Sequence, residues 1–376
     1  MSDQTAAFGK IFSILREAAM FESLGFEETT AKEISVLLGL SLGVLFGLLA
    51  ERTRFCFRRA VVGEDARQAA GVWFTALAVA ILGTQASVAS GLIGFADHRL
   101  LSSDLPVLAV VLGGLMFGAG MVLTRGCISR LTVLGGTGNL RALTVLLVFA
   151  VVAHAMLKGV LAPLRTSLGA VTVDLGETVS LAALPGGAAL WTALLALASL
   201  LIAARSGNRA LPLLGAALIG LLVPLGWVGT GYVLFDEFDP ITMESLSFTA
   251  PAADTLFYTI ASTSIAPGFG TGLVGGVLLG ALAAALLFGS FRWQSFDSPR
   301  QTGRYLAGAT LMGMGGVLAG GCTLGAGLAG IPTLSLAALL ALTAIALGAR
   351  LTDAALNAAS SGSAGYPATP GQQPAE

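Results

Sequence analysis

The stretch "GLMFGAGMVLTRGC", residues 114–127, returns later in the chain as "ATLMGMGGVLAGGC", residues 309–322. Gly118/Gly313, Gly120/Gly315, Val122/Val317, Leu123/Leu318, Gly126/Gly321 and Cys127/Cys322 coincide without a gap. A background of Gly, Leu and Val produces some of these matches by chance. The shared Gly-Cys ending does not come so cheaply, and an internal repeat defines architecture.

Both copies end an apolar run, and the whole chain is built of such runs. Of its 376 residues 55% are hydrophobic and 11% charged, with a mean hydropathy of +0.85. A soluble domain carries about 25% charged residues. The composition therefore specifies an all-α polytopic membrane protein. The net charge of −1 and the lack of a basic block exclude nucleic acid as a partner. Three cysteines without a CxxC and two scattered histidines, His98 and His154, suggest neither a redox motif nor a metal site. No P-loop is present and no cofactor is expected.

A membrane span needs roughly 17–25 mostly apolar residues. Nine segments qualify: 34–50, 71–93, 105–124, 140–161, 187–204, 211–233, 271–289, 304–319 and 333–349. Short apolar pieces between them, notably 255–267, read as re-entrant helices or loops. Arginines set the orientation. Arg52, Arg54, Arg58, Arg59 and Arg67 follow span 1, and Arg125, Arg130 and Arg141 follow span 3. Arg205 and Arg209 follow span 5, and Arg292, Arg300 and Arg304 follow span 7. The loop after span 6 is acidic, with Asp236, Glu237, Asp239, Glu244 and Asp254. Odd loops are thus cytoplasmic, the N-terminus outside and the C-terminus inside.

This topology places an odd number of crossings between the two Gly-Cys elements, so the copies are inverted. Inverted repeats with broken helices meeting near the midplane are a transporter architecture. The expected organisation is an amphipathic N-terminal segment 1–33, with Phe8, Ile11, Phe12 and Leu15 on one face, and a first repeat 34–165. A connector 166–210, a second repeat 211–350 and a largely disordered tail 351–376 follow. A weaker echo links "GLLAERTRFCF" (47–57) with "GLLVPLGWVGTGY" (220–232).

The candidate site residues follow from these breaks. Cys127 and Cys322, matched across the repeat, read as substrate contacts, and Cys56 follows a similar arginine-rich break. A thiol is a weak, soft donor and acceptor, suited to touching a sulfur atom without holding it. A free cysteine is also an ordinary small core residue. Gly126, Gly320 and Gly321 suit sharp turns that expose backbone N–H groups to an anion; close helix packing explains them equally well. Arg54, Arg125 and Arg130 either anchor the cytoplasmic face or give the inner mouth a positive field. Ser129 and Thr323 lie beside the cysteines. Ser262, Thr263 and Ser264 line a cavity or an ordinary turn. Asn139 reads as an N-cap. His154 and Lys158 share a helix face near its outer end.

"ERTRFCFRRA" (51–60), "RGCISRLTVLGGTGNLRAL" (125–143) and "GGCTLGAGL" (320–328) resemble the signature elements of the YeeE/YedE family of bacterial sulphur-transport membrane proteins, over about residues 35–350. The resemblance implies an hourglass-like inner-membrane importer of thiosulfate or a related small sulfur compound, with Cys56, Cys127 and Cys322 along the path. It also implies membrane lipids as surroundings and a TusA-like sulfur carrier as a partner. The N-terminal extension and the acidic loop 234–254 lie outside that signature. Two other readings compete: a membrane thiol or sulfur-transfer protein, against which three isolated cysteines argue, and a passive small-anion channel, which leaves the repeated Gly-Cys unexplained.

Overall fold

The computed structural model describes residues 29–96, 98–236 and 239–362. Among them, nine helical segments are long and apolar enough to cross a membrane. Four of these are broken, and the breaks build the centre of the molecule.

Helix α1 (Ala31–Thr53) starts at a capping box, in which the Thr30 hydroxyl accepts from the Glu33 N–H and the Glu33 carboxylate accepts from the Thr30 N–H. It breaks into the short α2 (Phe57–Val62), and α3 (Ala66–Ala89) returns across the membrane. Helix α4 (Val107–Leu123) breaks into α5 (Ile128–Gly136), followed by α6 (Leu140–Lys158) and a short surface helix α7 (Ala162–Gly169). A two-residue ribbon pairs β1 (Asp104–Leu105) with β2 (Val173–Asp174). Helix α8 (Gly187–Ala204) then links the halves. In the second half α9 (Ala210–Val228) loosens into a π-turn, Gly229–Val233, and the chain reaches α10 (Thr249–Ile260) and α11 (Phe269–Leu287). Helix α12 (Pro299–Leu318) breaks into the π-helix Thr323–Gly330, and α13 (Leu336–Gly362) closes the chain.

The packing is reciprocal. Helix α1 packs on α11 as α9 packs on α3, and α4 packs on α13 as α12 packs on α6. The short α2 lies on α3 as α10 lies on α11. Helix α8 packs on α3 and leaves Leu190, Leu194, Leu197 and Leu201 exposed on its outer face.

Glycines set how close these pairs come. Gly39, Gly43 and Gly47 on α1 lie against the carbonyls of Phe269, Leu273 and Val277, while Gly272, Gly276 and Gly280 on α11 lie against those of Val36, Leu40 and Val44. A Cβ at any of the six would overlap a backbone oxygen. Lipid supplies no hydrophobic drive between helices, so this backbone contact is where their association energy arises. The crossing of α4 with α12 is self-reciprocal. Gly113 meets Gly315, and Gly120 meets Gly308. The register that aligns Cys127 with Cys322 also aligns Gly113 with Gly308 and Gly120 with Gly315, so the two contacts exchange, as at a two-fold interface.

Helix α13 runs through Gly362, so the segment after 350 begins as a continuation of the last span. The 220–232 echo ends in the π-turn Gly229–Val233, and the second-half counterpart of α2, α10 with Phe248 at its N-cap, starts only after the intervening residues 234–247. Ser262, Thr263 and Ser264 form an exposed turn. Asn139 caps α6, its side chain accepting from the Ala142 N–H at 3.1 Å. The amphipathic segment around residues 8–15 and the tail beyond 362 lie outside the described residues.

Candidate substrate path

Each cysteine stands at the N-cap of the segment after a break: Cys56 before α2, Cys127 before α5 and Cys322 before the π-helix. The same local device builds all three. The residue two positions earlier adopts the left-handed conformation: Arg54 with φ 50°, Arg125 with φ 59° and Gly320 with φ 73°. At the first two, the next N–H reaches back to close the helix, Phe55 to the Ala50 carbonyl at 3.1 Å and Gly126 to the Met121 carbonyl at 3.0 Å. This is a Schellman closure, whose pivotal position favours glycine. The turn residue is therefore Arg125 rather than Gly126, and Gly320 rather than Gly321. Gly126 has no left-handed backbone, and a Cβ there would find only the ordinary contact of Leu131 at 3.4 Å. Gly321 is needed for space, since its Cβ would meet the Ala326 nitrogen at 2.9 Å.

The three segments converge. Cys56 and Cys127 come within side-chain reach of each other, although their segments are separated in the chain by α3. Cys56 and Cys127 follow α1 and α4, the first and third candidate spans, whereas Cys322 follows α12, in the eighth. The Thr323 hydroxyl faces Cys127, buried and without a well-formed hydrogen bond, and joins the two sets. Ser129 Oγ lies 3.2 Å from Cys127 Sγ. Cys322 Sγ accepts from the Gly325 N–H at 3.4 Å and also faces the N–H of Phe248 at the start of α10. The N–H groups of Arg59 and Arg130 stand in the corresponding place toward Cys56 and Cys127. Every thiol thus looks down the start of a helical segment, where N–H groups point at it and the backbone dipole favours negative charge.

Around this cluster the walls are aromatic. Phe46 packs edge-on to Phe55 at 6.2 Å and against Phe248 at 5.8 Å, and Phe57 tilts against Trp73 at 4.8 Å. Cys56, Cys127 and Cys322 are 4%, 1% and 0% exposed, so the thiols are shut off from the surface.

The arginines divide. Arg130 is half-buried, donates to the Ala50 carbonyl at 3.2 Å and lies within electrostatic reach of both Cys56 and Cys127. Arg54 and Arg125 are exposed at the turns and do not join the cluster. Arg59, paired with Asp65, donates to the Arg54 carbonyl at 2.7 Å and ties down the first turn. The Arg59 guanidinium holds the Asp65 carboxyl below its usual range.

Sequence reasoning missed the residues on the Cys322 side. A cavity of about 250 Å³ lies over that turn, with Arg99, Arg165 and the Gly320 backbone in its wall. Arg99 Nη1 donates to the Gly320 carbonyl at 3.1 Å. These arginines lie in loops whose charge counts look unremarkable, and only the return of the β1–β2 ribbon and α7 over α4 brings them together. Phe248 was missed because it carries no cysteine. His154, stacked on Phe257 at 4.2 Å, lies apart from the thiols on the α6–α10 contact.

A multi-pass helical membrane protein with broken helices meeting on buried thiols is a transporter-type architecture. The comparisons name the family: the chain belongs to the Sulphur transport family, whose model matches residues 52–351. It is similar to the thiosulfate transporter TsuA of Escherichia coli (strain K12), with 29% identity over 325 residues, covering 78% of this chain and 86% of that protein. It is also similar to the thiosulfate transporter TsuA of Spirochaeta thermophila, with 28% identity over 346 residues, covering 82% of this chain and 96% of that protein.

Proposed function

We propose that this protein carries thiosulfate, or a closely related small sulfur anion, across the bacterial inner membrane along the line Cys322–Cys127–Cys56. The observation that carries the reading is the convergence of three thiols, each at the start of a helical segment after a break, on one buried cluster. Family membership and the names of the relatives support the substrate class. Thiosulfate has a soft terminal sulfur and a hard oxyanion end. The thiols suit the first through weak S–H···S contacts, and the helix-start N–H groups suit the second. Neither binds tightly enough to trap the ion, as conduction requires.

In this reading the protein is a transporter and not an enzyme. The arginine-rich loops put the Cys56/Cys127 mouth in the cytoplasm, the N-terminus outside and the C-terminus inside. The Arg99/Arg165 cavity is then the outer vestibule. The halves 34–165 and 211–350 act as the two gates around the cluster, with 166–210 as connector, and a TusA-like carrier receives sulfur at the inner mouth. Arg130 attracts the anion; Ser129 and Thr323 line its passage. Because the thiols are shut off from the surface, passage requires the breaks at Arg54, Arg125 and Gly320 to flex.

Uptake of labelled thiosulfate into vesicles tests the proposal. Parent protein accumulates the label, while Cys127→Ala and Cys322→Ala fall to background. Variants that transport like the parent sink the cysteine path.

One observation favours a second reading. Sequence alone made the cysteines isolated, which argued against thiol chemistry, but Cys56 and Cys127 are neighbours. A thiolate there could attack the outer sulfur of thiosulfate, forming a cysteine persulfide and releasing sulfite. Mass spectrometry of protein quenched during uptake decides: a persulfide on either residue favours transfer, and unmodified thiols favour passage by contact alone.

A further inference from the structure

Arg58 and Arg125 both lie within electrostatic reach of Arg304, whose helix meets the Arg125 turn where Gly308 lies against Leu123 and Thr124. Arg58 lies on α2, two residues past Cys56. Arg125 is the left-handed turn before Cys127. Arg304 lies near the start of α12, the helix that leads to Cys322. The three arginines thus come from the segments around the Cys56 and Cys127 breaks and from the helix that precedes Cys322, and Arg304 feels the charge of both others. Among the described residues, the side-chain ion pairs are Arg59–Asp65 and Arg141–Asp297, and neither includes these three. The Nε atoms of Arg58 and Arg304 are buried and have no hydrogen-bond partner.

Three like charges without a carboxylate, two of them with buried unpaired donors, are incomplete as they stand. Buried donors in native proteins are nearly always satisfied, and an exception points to a missing ion or water. Here water leaves the mutual repulsion in place, whereas an anion removes both costs. Guanidinium forks match the paired oxygens of a tetrahedral oxyanion. We propose that Arg58, Arg125 and Arg304 form a binding site for a divalent tetrahedral oxyanion, at the mouth on the Cys56/Cys127 side. Its ligand is either thiosulfate leaving the thiols or a sulfate-like dianion from the same compartment. The assigned role, though not the site itself, rests on the transport reading. Substrate released from the cluster pauses here, and a competing dianion holding the arginines slows its release.

The test uses purified full-length protein and titration calorimetry with sodium sulfate and, separately, sodium thiosulfate. Sulfate carries no soft sulfur, so it probes the arginines without the thiols. Parent and Cys127→Ala both bind sulfate, and binding weakens with added chloride, as an exposed charge site should. The double variant Arg58→Gln/Arg304→Gln binds it at least about tenfold more weakly, having lost two charge-assisted contacts. Arg58→Lys/Arg304→Lys restores part of the loss. If the glutamine pair does not stay monodisperse, the single variants are read, each expected to weaken sulfate severalfold. A parent that binds neither anion, or glutamine variants that bind sulfate like the parent, overturn the site. Thiosulfate that binds through these arginines when sulfate does not makes the substrate itself the ligand. In vesicles, sulfate on the Cys56/Cys127 side slows thiosulfate uptake by the parent and not by the glutamine pair. Arginine-dependent sulfate binding in a parent that takes up no thiosulfate would leave the site standing and remove the transport reading.

Discussion

Arg125 and Gly320 occupy the same place in the two halves: left-handed backbone, two residues before a cysteine that begins the next helical segment. One half fills it with the residue that suits the geometry, the other with arginine. An L-residue in this conformation costs about 1–2 kcal/mol, which glycine avoids. Arg125→Gly should therefore raise stability by about 1 kcal/mol, read as a higher unfolding midpoint in detergent, while uptake at low thiosulfate declines. An unchanged or lower midpoint would mean that the arginine side chain contributes more to the turn than its backbone strain costs.

The adjacency of Cys56 and Cys127 gives a second outcome. Mild oxidation with a thiol-specific oxidant should join them, stop uptake and be reversed by a reductant. Cys56→Ala should resist the oxidant. Parent activity unaffected by oxidation, with both thiols recovered free, would place the two sulfurs too far apart for the proposed path.

The glycine seam between α1 and α11 predicts a structural failure. Gly276→Leu puts a branched side chain against the Leu40 carbonyl, where not even a Cβ fits. Overpacking typically costs 1–3 kcal/mol, and here the obstacle is backbone that cannot step aside. The variant should lose its monodisperse elution profile. Gly275→Leu, one position away and facing open space, serves as the matched control and should elute like the parent.

Much of this was legible in the sequence. Spans are readable because lipid demands about twenty apolar residues in a row, and helix α8 begins and ends where hydropathy places it. The Gly-Cys echo pointed at Cys127 and Cys322 because inversion preserves local sequence. It could not show that Cys56 meets Cys127, since nothing local records how α1 and α4 approach. Gly126 attracted the turn assignment because glycine is the usual occupant of left-handed backbone, and the sequence does not show that Arg125 takes the strain instead. The second-half counterpart of α2 stayed hidden because residues 234–247 intervene and Phe248 offers no thiol. Arg58 and Arg304 entered the sequence reading only as loop arginines that set orientation, and only the fold shows their Nε atoms buried without partners.

His98, between α3 and α4, should make the protein acid-labile. Its ring packs edge-on to Trp227 at 5.2 Å, and Nδ1 accepts from the Leu100 N–H at 3.3 Å. Burial first, and then the charge of Arg99, lowers its pKa from 6.5 to about 4. The unfolded chain therefore binds a proton that the folded chain refuses between those values, and stability falls as pH drops from 6.5 toward 4. Glu244, whose carboxyl burial and Asp254 push up, acts in the opposite sense: it favours the folded state when protonated, at low pH. The diagnostic is thus the difference between the parent and His98→Asn, which keeps an acceptor near Nδ1 but does not titrate. The unfolding midpoint of the variant should fall less over this range. Parallel pH profiles would show that His98 is solvated.

The crossing of α4 with α12 has one more consequence. A conduit with a two-fold axis lying in the plane of the membrane looks the same from either side, and its two mouths would hold an ion equally well. Gly113, Gly120, Gly308 and Gly315 obey that symmetry, whereas the breaks do not. Two thiols stand on one side, and a thiol beside a phenylalanine stands on the other. The molecule is therefore asymmetric in its chemistry while remaining symmetric in its frame: on the proposed path an ion exchanges one sulfur neighbour for two. The sense of that polarity is carried by the missing fourth cysteine, at Phe248.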